Sequence, residues 1–491
     1  MNKDIFFAAY IKDIGHEVKS GLAVRIPPEA GRLPGDRIKD LTEAVRKLSL
    51  QEGERLRTEM LVAPPFEVET TPLADYLWAD GSVNAPRLVR HLETRVQGNT
   101  PHHFLPRCGV PVLGPELIGR EQVLAKLEEN LRNYQSCHLR APRRYGKTSL
   151  LMRINANLPQ TVMMELSDIG SLAGFLKVLL RGCMRHEVAR ACLLKLAPYR
   201  SWPADTPAAS ASIFNDAFGE LTKLHGRTLP TLLRETLSTL AENGMVLLVD
   251  EFSVFLRNMY EDRRLELETF LEIFHVLRIR AAHPLVAVFA GSAGLSTYIQ
   301  FHGLQALFAD LVPVDVLPIG STEARVLAEE LFYGMGKRPS VSCIDQVIKL
   351  TGEDDTVPYF VHALAHATAE ELGLRKEVLT TDVERAYYDR LLGPPGNIFF
   401  RDFILRERGY PAEYRLCASN ILKTLSRKFP ASVREEELQT FCPPGCDFIK
   451  IRTCLEEDYD LVRTEQGWRM RSRVLADRWR LGEPWLTLGG I

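Results

Sequence analysis

The chain has 491 residues, 45% hydrophobic and 25% charged, with a formal net charge of −2. That length predicts several domains rather than one core, and the near-neutral balance excludes nucleic-acid binding through overall charge, leaving only local patches for such a role. No stretch approaches the about 18 consecutive apolar residues of a membrane-spanning helix, and the N-terminal run IFFAAYI is cut short by Lys12 and Asp13. A cytoplasmic protein with no membrane partner is expected. Its nine scattered cysteines predict reduced thiols, and Cys442 and Cys446 in CPPGC read as ordinary turn thiols, because no second pair follows at zinc-site spacing.

Residues 1–98 mix short helical patterns with proline-broken segments such as VRIPPEAGRLPGDR. The clearest periodic stretch places Leu88, Val89, Leu92 and Val96 at helical spacing. A mostly helical accessory domain is expected here, followed by a Pro- and Gly-rich linker over 99–116.

From residue 117 to about 315 the pattern alternates between amphipathic helices and short apolar strands, which predicts an α/β domain with a parallel sheet. EQVLAKLEENL and TSLLMRINANL read as helices; TVMMEL, MVLLVD and LVAVFAGS read as strands; and SCHLR reads as a strand more polar than a buried one should be. A helix is expected through Leu267, Phe270, Leu271, Phe274 and Leu277. Residues 316–392 look wholly helical.

The stretch APRRYGKTSLL has the composition of a phosphate-binding loop. Such a loop needs backbone N–H groups converging on an anion, a lysine for the terminal phosphates and a hydroxyl for Mg²⁺. Gly146 permits close approach of the backbone, Lys147 would neutralise the β- and γ-phosphates, and Thr148 would ligate the metal. The helix that follows points its N-terminus at the same anion. Ala141 stands where such loops begin with glycine, which matters only if that residue needs a positive φ. The neighbouring Arg143 and Arg144 either contact phosphate or pair with carboxylates.

About a hundred residues downstream, MVLLVDEF sets Asp250 and Glu251 at the C-terminal end of a buried strand. An Mg²⁺-associated carboxylate and a water-activating carboxylate belong at such a position. AVFAGSAG then ends a third strand at Ser292, whose hydroxyl is placed to sense a γ-phosphate. The two motifs in this order predict nucleotide binding.

LIGREQVLAKLEENL, APRRYGKTSLL, LLVDEF, Leu277–Arg278 and FAGSAGL together resemble the archaeal-type ATPase branch of the STAND/AAA+ P-loop NTPases, over residues 115–390 and more weakly to 491. The resemblance implies a helical lid after the α/β core and a winged helix at the C-terminus. It implies ATP and Mg²⁺ as cofactors, held by Arg143, Arg144, Tyr145, Gly146, Lys147, Thr148 and Ser149, with Thr148 and Asp250 at the metal. Asp250 would be the Walker B carboxylate and Glu251 the catalytic base. Gly119 and Arg120, followed by Glu121, would lie beside the adenine, and Pro358 would contact the base. Arg257, Arg263, Arg264 and Arg278 are candidates for an arginine finger.

Residues 400–491 read as three helices and a hairpin, consistent with a winged helix-turn-helix. An extended WRMRSRV would place Arg469, Arg471 and Arg473 on one face. These arginines either contact phosphates or form a solvated or core-facing wing, and the tail's net charge, about +2 over 400–491, is modest for a DNA binder. The expectation is an ATP- and ADP-controlled switch acting on a protein partner or effector, with the oligomeric state left open. The alternatives are a DNA-binding ATPase of origin-recognition type and a non-hydrolysing nucleotide-bound scaffold.

Overall fold

The computed structural model describes residues 5–12, 18–26, 56–62, 68–72, 76, 78–80, 84, 86–87, 90–91, and 104–481 apart from 201–217, 220–227, 292–294, 401–402, 404–409, 411 and 459. The chain divides into two compact units, one of residues 1–108 and 320–399, the other of 109–319 and 400–491. Among the described residues no helix is long and apolar enough to cross a membrane.

In the first unit, strands β1 (Ile5–Lys12), β2 (Val18–Ile26), β3 (Leu56–Val62) and β4 (Val68–Pro72) form an antiparallel sheet in the order β2-β1-β3-β4. This corrects the expected mostly helical accessory domain. The four segments are short runs of apolar, aromatic and Thr/Val residues that suit a pleated surface. What makes them strands is pairing between distant segments, such as Ala8 opposite both Ala23 and Glu59, and local periodicity does not carry that information.

The second unit opens with α1 (Glu121–Arg132), β5 (Cys137–Arg140), α2 (Lys147–Asn157), β6 (Thr161–Glu165), α3 (Leu172–Arg185) and α4 (Glu187–Leu193). It continues with α5 (Leu229–Glu242), β7 (Val246–Asp250), α6 (Phe252–Asp262), α7 (Arg264–Ile279), β8 (Val286–Ala290), α8 (Leu295–Phe301), α9 (Gln305–Phe308) and β9 (Val312–Asp315). The five strands pair in parallel in the order β6-β7-β8-β5-β9. β7 and β8 are buried along their whole length, as continuous apolar runs in a parallel sheet require. Leu267, Phe270, Leu271, Phe274 and Leu277 all point into the core from α7, where Phe175, Phe252, Phe255 and Phe289 join them.

β9 carries no strand pattern in its sequence, since Pro313 interrupts it. As an edge strand it tolerates the missing N–H. β5 lies inside the sheet, between β8 and β9, despite its polar sequence. His138 is accommodated there because burial lowers its pKa to about 4, leaving the ring neutral.

The first unit resumes with α10 (Ser321–Gly334), β10 (Arg338–Pro339), α11 (Val341–Thr351), α12 (Pro358–Leu372), β11 (Glu377–Val378) and α13 (Thr380–Arg385). The segment is not wholly helical, because β10 and β11 form a short parallel pair. Arg87 is buried against α10, with Glu330 3.1 Å away and the rings of Tyr76 and Tyr333 beside its guanidinium.

The chain ends, in the second unit, with α14 (Ala412–Lys428), α15 (Glu435–Gln439), α16 (Phe448–Glu457), the hairpin β12 (Leu461–Thr464) and β13 (Gly467–Met470), and α17 (Arg473–Arg480). A bridge between Val433 and Trp468 adds a third extended segment beside the hairpin. The expected strand through Val474 stops at Met470. Ser472 caps α17 by accepting from the Leu475 N–H, so Arg473 belongs to a helix, where it pairs with Asp477 at 3.5 Å. Reduced thiols do not hold for Cys417 and Cys442, which form a disulfide across 25 residues. Folding brings α14 against the CPPGC loop, a proximity that spacing along the chain cannot reveal.

Candidate functional site

The strands are parallel, so the C-terminal ends of β5, β7 and β8 open onto one edge of the sheet. Ligands of open α/β sheets bind at such an edge. The loop after β5 carries Ala141, Pro142, Arg143, Arg144 and Tyr145 and turns into α2 at Gly146, whose φ of +92° places it in the left-handed region. Arg144 is also left-handed, at φ +69°. Ala141 is not among the positive-φ residues, so its methyl group carries no backbone strain at the position where glycine is usual.

Lys147 opens α2 with its ammonium folded back on the loop, donating to the carbonyls of Ala141 at 2.7 Å and Pro142 at 2.5 Å. The hydroxyl of Thr148 donates to Asp250 Oδ2 at 2.6 Å. Ser149 is buried, and its Oγ accepts from the Val112 N–H at 3.0 Å. Tyr145 is buried as well, and its carbonyl accepts from Arg120 at 3.2 Å.

Arg120 is therefore a clamp on this loop. It immediately precedes α1, is only 3% exposed, and donates to the carbonyl of Leu317 at 2.8 Å as well as to that of Tyr145. Burial lowers its pKa to about 10, still high enough to leave it charged at neutral pH. Gly119 precedes it at φ +69°.

Asp250 ends β7 at 3% exposure. Its Oδ1 accepts from the Glu251 N–H at 2.9 Å, and its Oδ2 holds Thr148. Glu251 takes a left-handed conformation, φ +54°, between β7 and α6. Its Oε1 lies 3.8 Å from Arg143, and its Oε2 is buried with no hydrogen-bond partner among the described residues. A strained backbone carrying an unsatisfied carboxylate oxygen, at the end of an interior strand, makes Glu251 a candidate functional residue. The ion pair realises one of the two roles open for Arg143.

Gly291 follows β8. A Cβ there would come within 2.5 Å of Ser253 Oγ, so only glycine lets α6 approach this strand end so closely. Ser292, the expected γ-phosphate sensor, lies outside the described residues. Pro358 opens α12 in the other unit. Of the arginine-finger candidates, Arg278 is committed internally, donating twice to Asp310 at 2.6 and 2.9 Å and once to the Leu307 carbonyl.

Sequence reasoning missed the clamping role of Arg120 and the link from Val112 to Ser149, because both partners are backbone atoms of distant segments. The donor set fits Mg²⁺ and a phosphate chain: a hydroxyl and a carboxylate in contact, a lysine folded onto two loop carbonyls, and a helix N-terminus.

No family model and no curated protein matches the chain. Among solved structures it is similar to the Walker-type ATPase PABY2304 of Pyrococcus abyssi, with a TM-score of 0.54 and 17% identity, covering 77% of this chain and 100% of that one. Lower similarities include the ORC2 protein of Aeropyrum pernix, with a TM-score of 0.44 and 10% identity over 77% and 94% of the two chains. The RuvB Holliday-junction branch-migration motor of Thermotoga maritima has a TM-score of 0.35 and 15% identity over 72% and 92%. The first likeness shows that the chain shares the fold of that Walker-type ATPase.

Proposed function

We propose that this chain is an Mg²⁺-dependent ATPase of STAND/AAA+ type, working as a nucleotide-controlled switch on a protein partner. The observation that carries the reading is the hydrogen bond from Thr148 to Asp250, which joins the phosphate loop to the carboxylate at the end of β7. In this reading Lys147 exchanges its loop carbonyls for the β- and γ-phosphates, and the loop N–H groups and the α2 N-terminus cradle the anion. Thr148 and Asp250 would hold Mg²⁺, which when bound neutralises phosphate charge. Glu251 accepts a proton from the attacking water, Ser292 senses the γ-phosphate, and the Gly119 segment contacts the base.

Helices α14, α15 and α16 with the hairpin β12–β13 are read as a winged helix that serves the switch. Its third helix, α16, packs on α8: Lys450 sits over the Phe301 ring at 4.4 Å, and Glu457 accepts from Gln300 at 3.2 Å. Arg452 is engaged with Glu435 at 2.7 Å and with the Trp468 ring. The basic side chains of the helix that would enter a DNA groove are thus already occupied, which favours a role in relaying nucleotide state over one in gripping duplex.

The test is steady-state ATP hydrolysis by wild type, Lys147→Ala and Glu251→Gln, with and without duplex DNA. Turnover abolished by both substitutions and indifferent to DNA is the expected result. DNA-stimulated turnover would replace the switch with a genome-acting ATPase. ATP binding without turnover in the wild type would leave a nucleotide-bound scaffold.

A further inference from the structure

The loop between α15 and α16 carries Cys442 and Cys446 in CPPGC and meets Cys417 on α14. The three Sγ atoms all lie within 4.8 Å of one another, and among the described residues no fourth His, Cys, Asp or Glu joins them. Cys417 is fully buried, while Cys442 and Cys446 are half-buried. Cys417 and Cys442 are disulfide-bonded, with Cα atoms 4.9 Å apart; Cys446 is not disulfide-bonded.

The turn that returns Cys446 to this pair is strongly specified. Pro443 and Pro444 fix their own φ angles, and Gly445 adopts φ +90°, which other residues rarely take. The Cys446 N–H then donates to the Pro443 carbonyl at 3.1 Å. Both ends are anchored: the Cys442 N–H donates to the Gln439 carbonyl at 3.1 Å, and Asp447 caps α16 by accepting from the Lys450 N–H at 3.1 Å. A disulfide needs only two of these cysteines. The turn delivers a third sulfur to the same point, and that is the geometry of a thiolate metal site.

We propose that the reduced chain binds one soft metal ion of the Zn²⁺ class through Cys417, Cys442 and Cys446, in competition with the Cys417–Cys442 disulfide. Tetrahedral zinc with Zn–S bonds of about 2.3 Å sets thiolate pairs about 3.8 Å apart, within the span these sulfurs already occupy. Three thiolates leave a fourth position open to water or an added ligand. The two states are exclusive because they share two sulfurs. A dithiol reductant passes two electrons and two protons to the Cys417–Cys442 bond, yielding two thiols and becoming a disulfide itself. Zinc then displaces three protons, one from each Sγ.

The experiment uses the full chain, reduced with a dithiol, freed of reductant without air, and incubated with Zn²⁺. Bound zinc is counted by native mass spectrometry for wild type, Cys417→Ser, Cys442→Ser, Cys446→Ser and Cys108→Ser. One zinc is expected per wild-type and Cys108→Ser chain. Affinity should fall at least about tenfold in each of the other three variants, and the air-oxidised wild type should take up none. Cys446 is outside the disulfide and partly exposed, so Cys446→Ser decides even if Cys417→Ser fails to fold. A reduced wild type that takes up no zinc, or a Cys446→Ser chain that binds it as tightly as wild type, overturns the proposal.

Discussion

The hydroxyl of Thr148 donates to Oδ2 of Asp250 at 2.6 Å, across 102 residues of sequence. If this pair is where Mg²⁺ is held, Thr148→Val keeps the shape of the side chain and removes the ligand oxygen. Turnover at saturating ATP should fall at least about a hundredfold, the rate equivalent of a few kcal/mol of lost metal stabilisation. Thr148→Ser should stay within about tenfold of wild type. Both are read from hydrolysis rates over a range of Mg²⁺ concentrations, with circular dichroism confirming the fold. Full Mg²⁺-dependent turnover in Thr148→Val would remove the pair from the mechanism.

Gly291→Ala should destabilise the core by about 1–3 kcal/mol, the usual cost of overpacking, because the new methyl would meet Ser253 at 2.5 Å from Oγ and 2.9 Å from Cβ. Combining it with Ser253→Gly should give a loss smaller than the sum of the two single changes. Thermal denaturation of the four chains measures this. Additive losses would show that the backbone, not Ser253, sets the requirement for glycine.

The buried cluster around Glu330 predicts acid sensitivity in the first unit. Tyr76 lies 3.2 Å from His91 Nδ1, and His91 Nε2 lies 3.2 Å from Glu330 Oε2. A neutral ring that accepts from the tyrosine and donates to the carboxylate satisfies both contacts. Burial pushes the Glu330 pKa up, but the His91 hydrogen bond and the Arg87 and Arg90 charges outweigh it and hold the group at about 2. Burial chiefly lowers His91 below 6.5. Both folded values are depressed, so their stabilisation is complete at neutral pH. The His91 part fades below the unfolded pKa of about 6.5, and the Glu330 part between about 4.5 and 2. His91→Gln should flatten the stability profile between pH 6.5 and 4.5 as measured by urea melts; an unchanged profile there would contradict the assignment.

The parts of the site that are legible in the sequence are those whose chemistry is local. Gly146, Lys147 and Thr148 occupy consecutive positions, and Asp250 and Glu251 end a run of apolar residues typical of a buried parallel strand. The rest depends on distant neighbours. The sequence around His138 looks too polar for an interior strand, and it becomes one because β8 and β9 flank it. Pro313 hides β9, which only an edge position permits. Arg120 sits in a motif associated with the adenine, yet its guanidinium holds the carbonyls of Tyr145 and Leu317. Cys417 gives no local sign of its two partners in CPPGC.

Glu457 gives the contact between α16 and α8 a pH dependence of opposite sign to that of Glu330. Burial, reinforced by Asp458, raises its pKa to about 7, although Arg140 draws it down. A carboxyl whose folded pKa lies above its unfolded value favours the folded state fully only below the unfolded value of about 4.5, and that contribution is lost as pH rises to about 7. Above that pH the charged group remains half-buried beside Gln300, which donates to it at 3.2 Å. Glu457→Gln removes the charge and keeps a polar side chain there. The variant should therefore be more stable than wild type at pH 8, with the advantage shrinking or vanishing at pH 5, as read from melting temperatures at the two values. In a working switch it should also hold α16 on α8 more firmly, slowing hydrogen exchange in α16 at pH 8. Equal stability of the two chains at pH 8 would show that Glu457 ionises without penalty, and that this contact is not pH-sensitive.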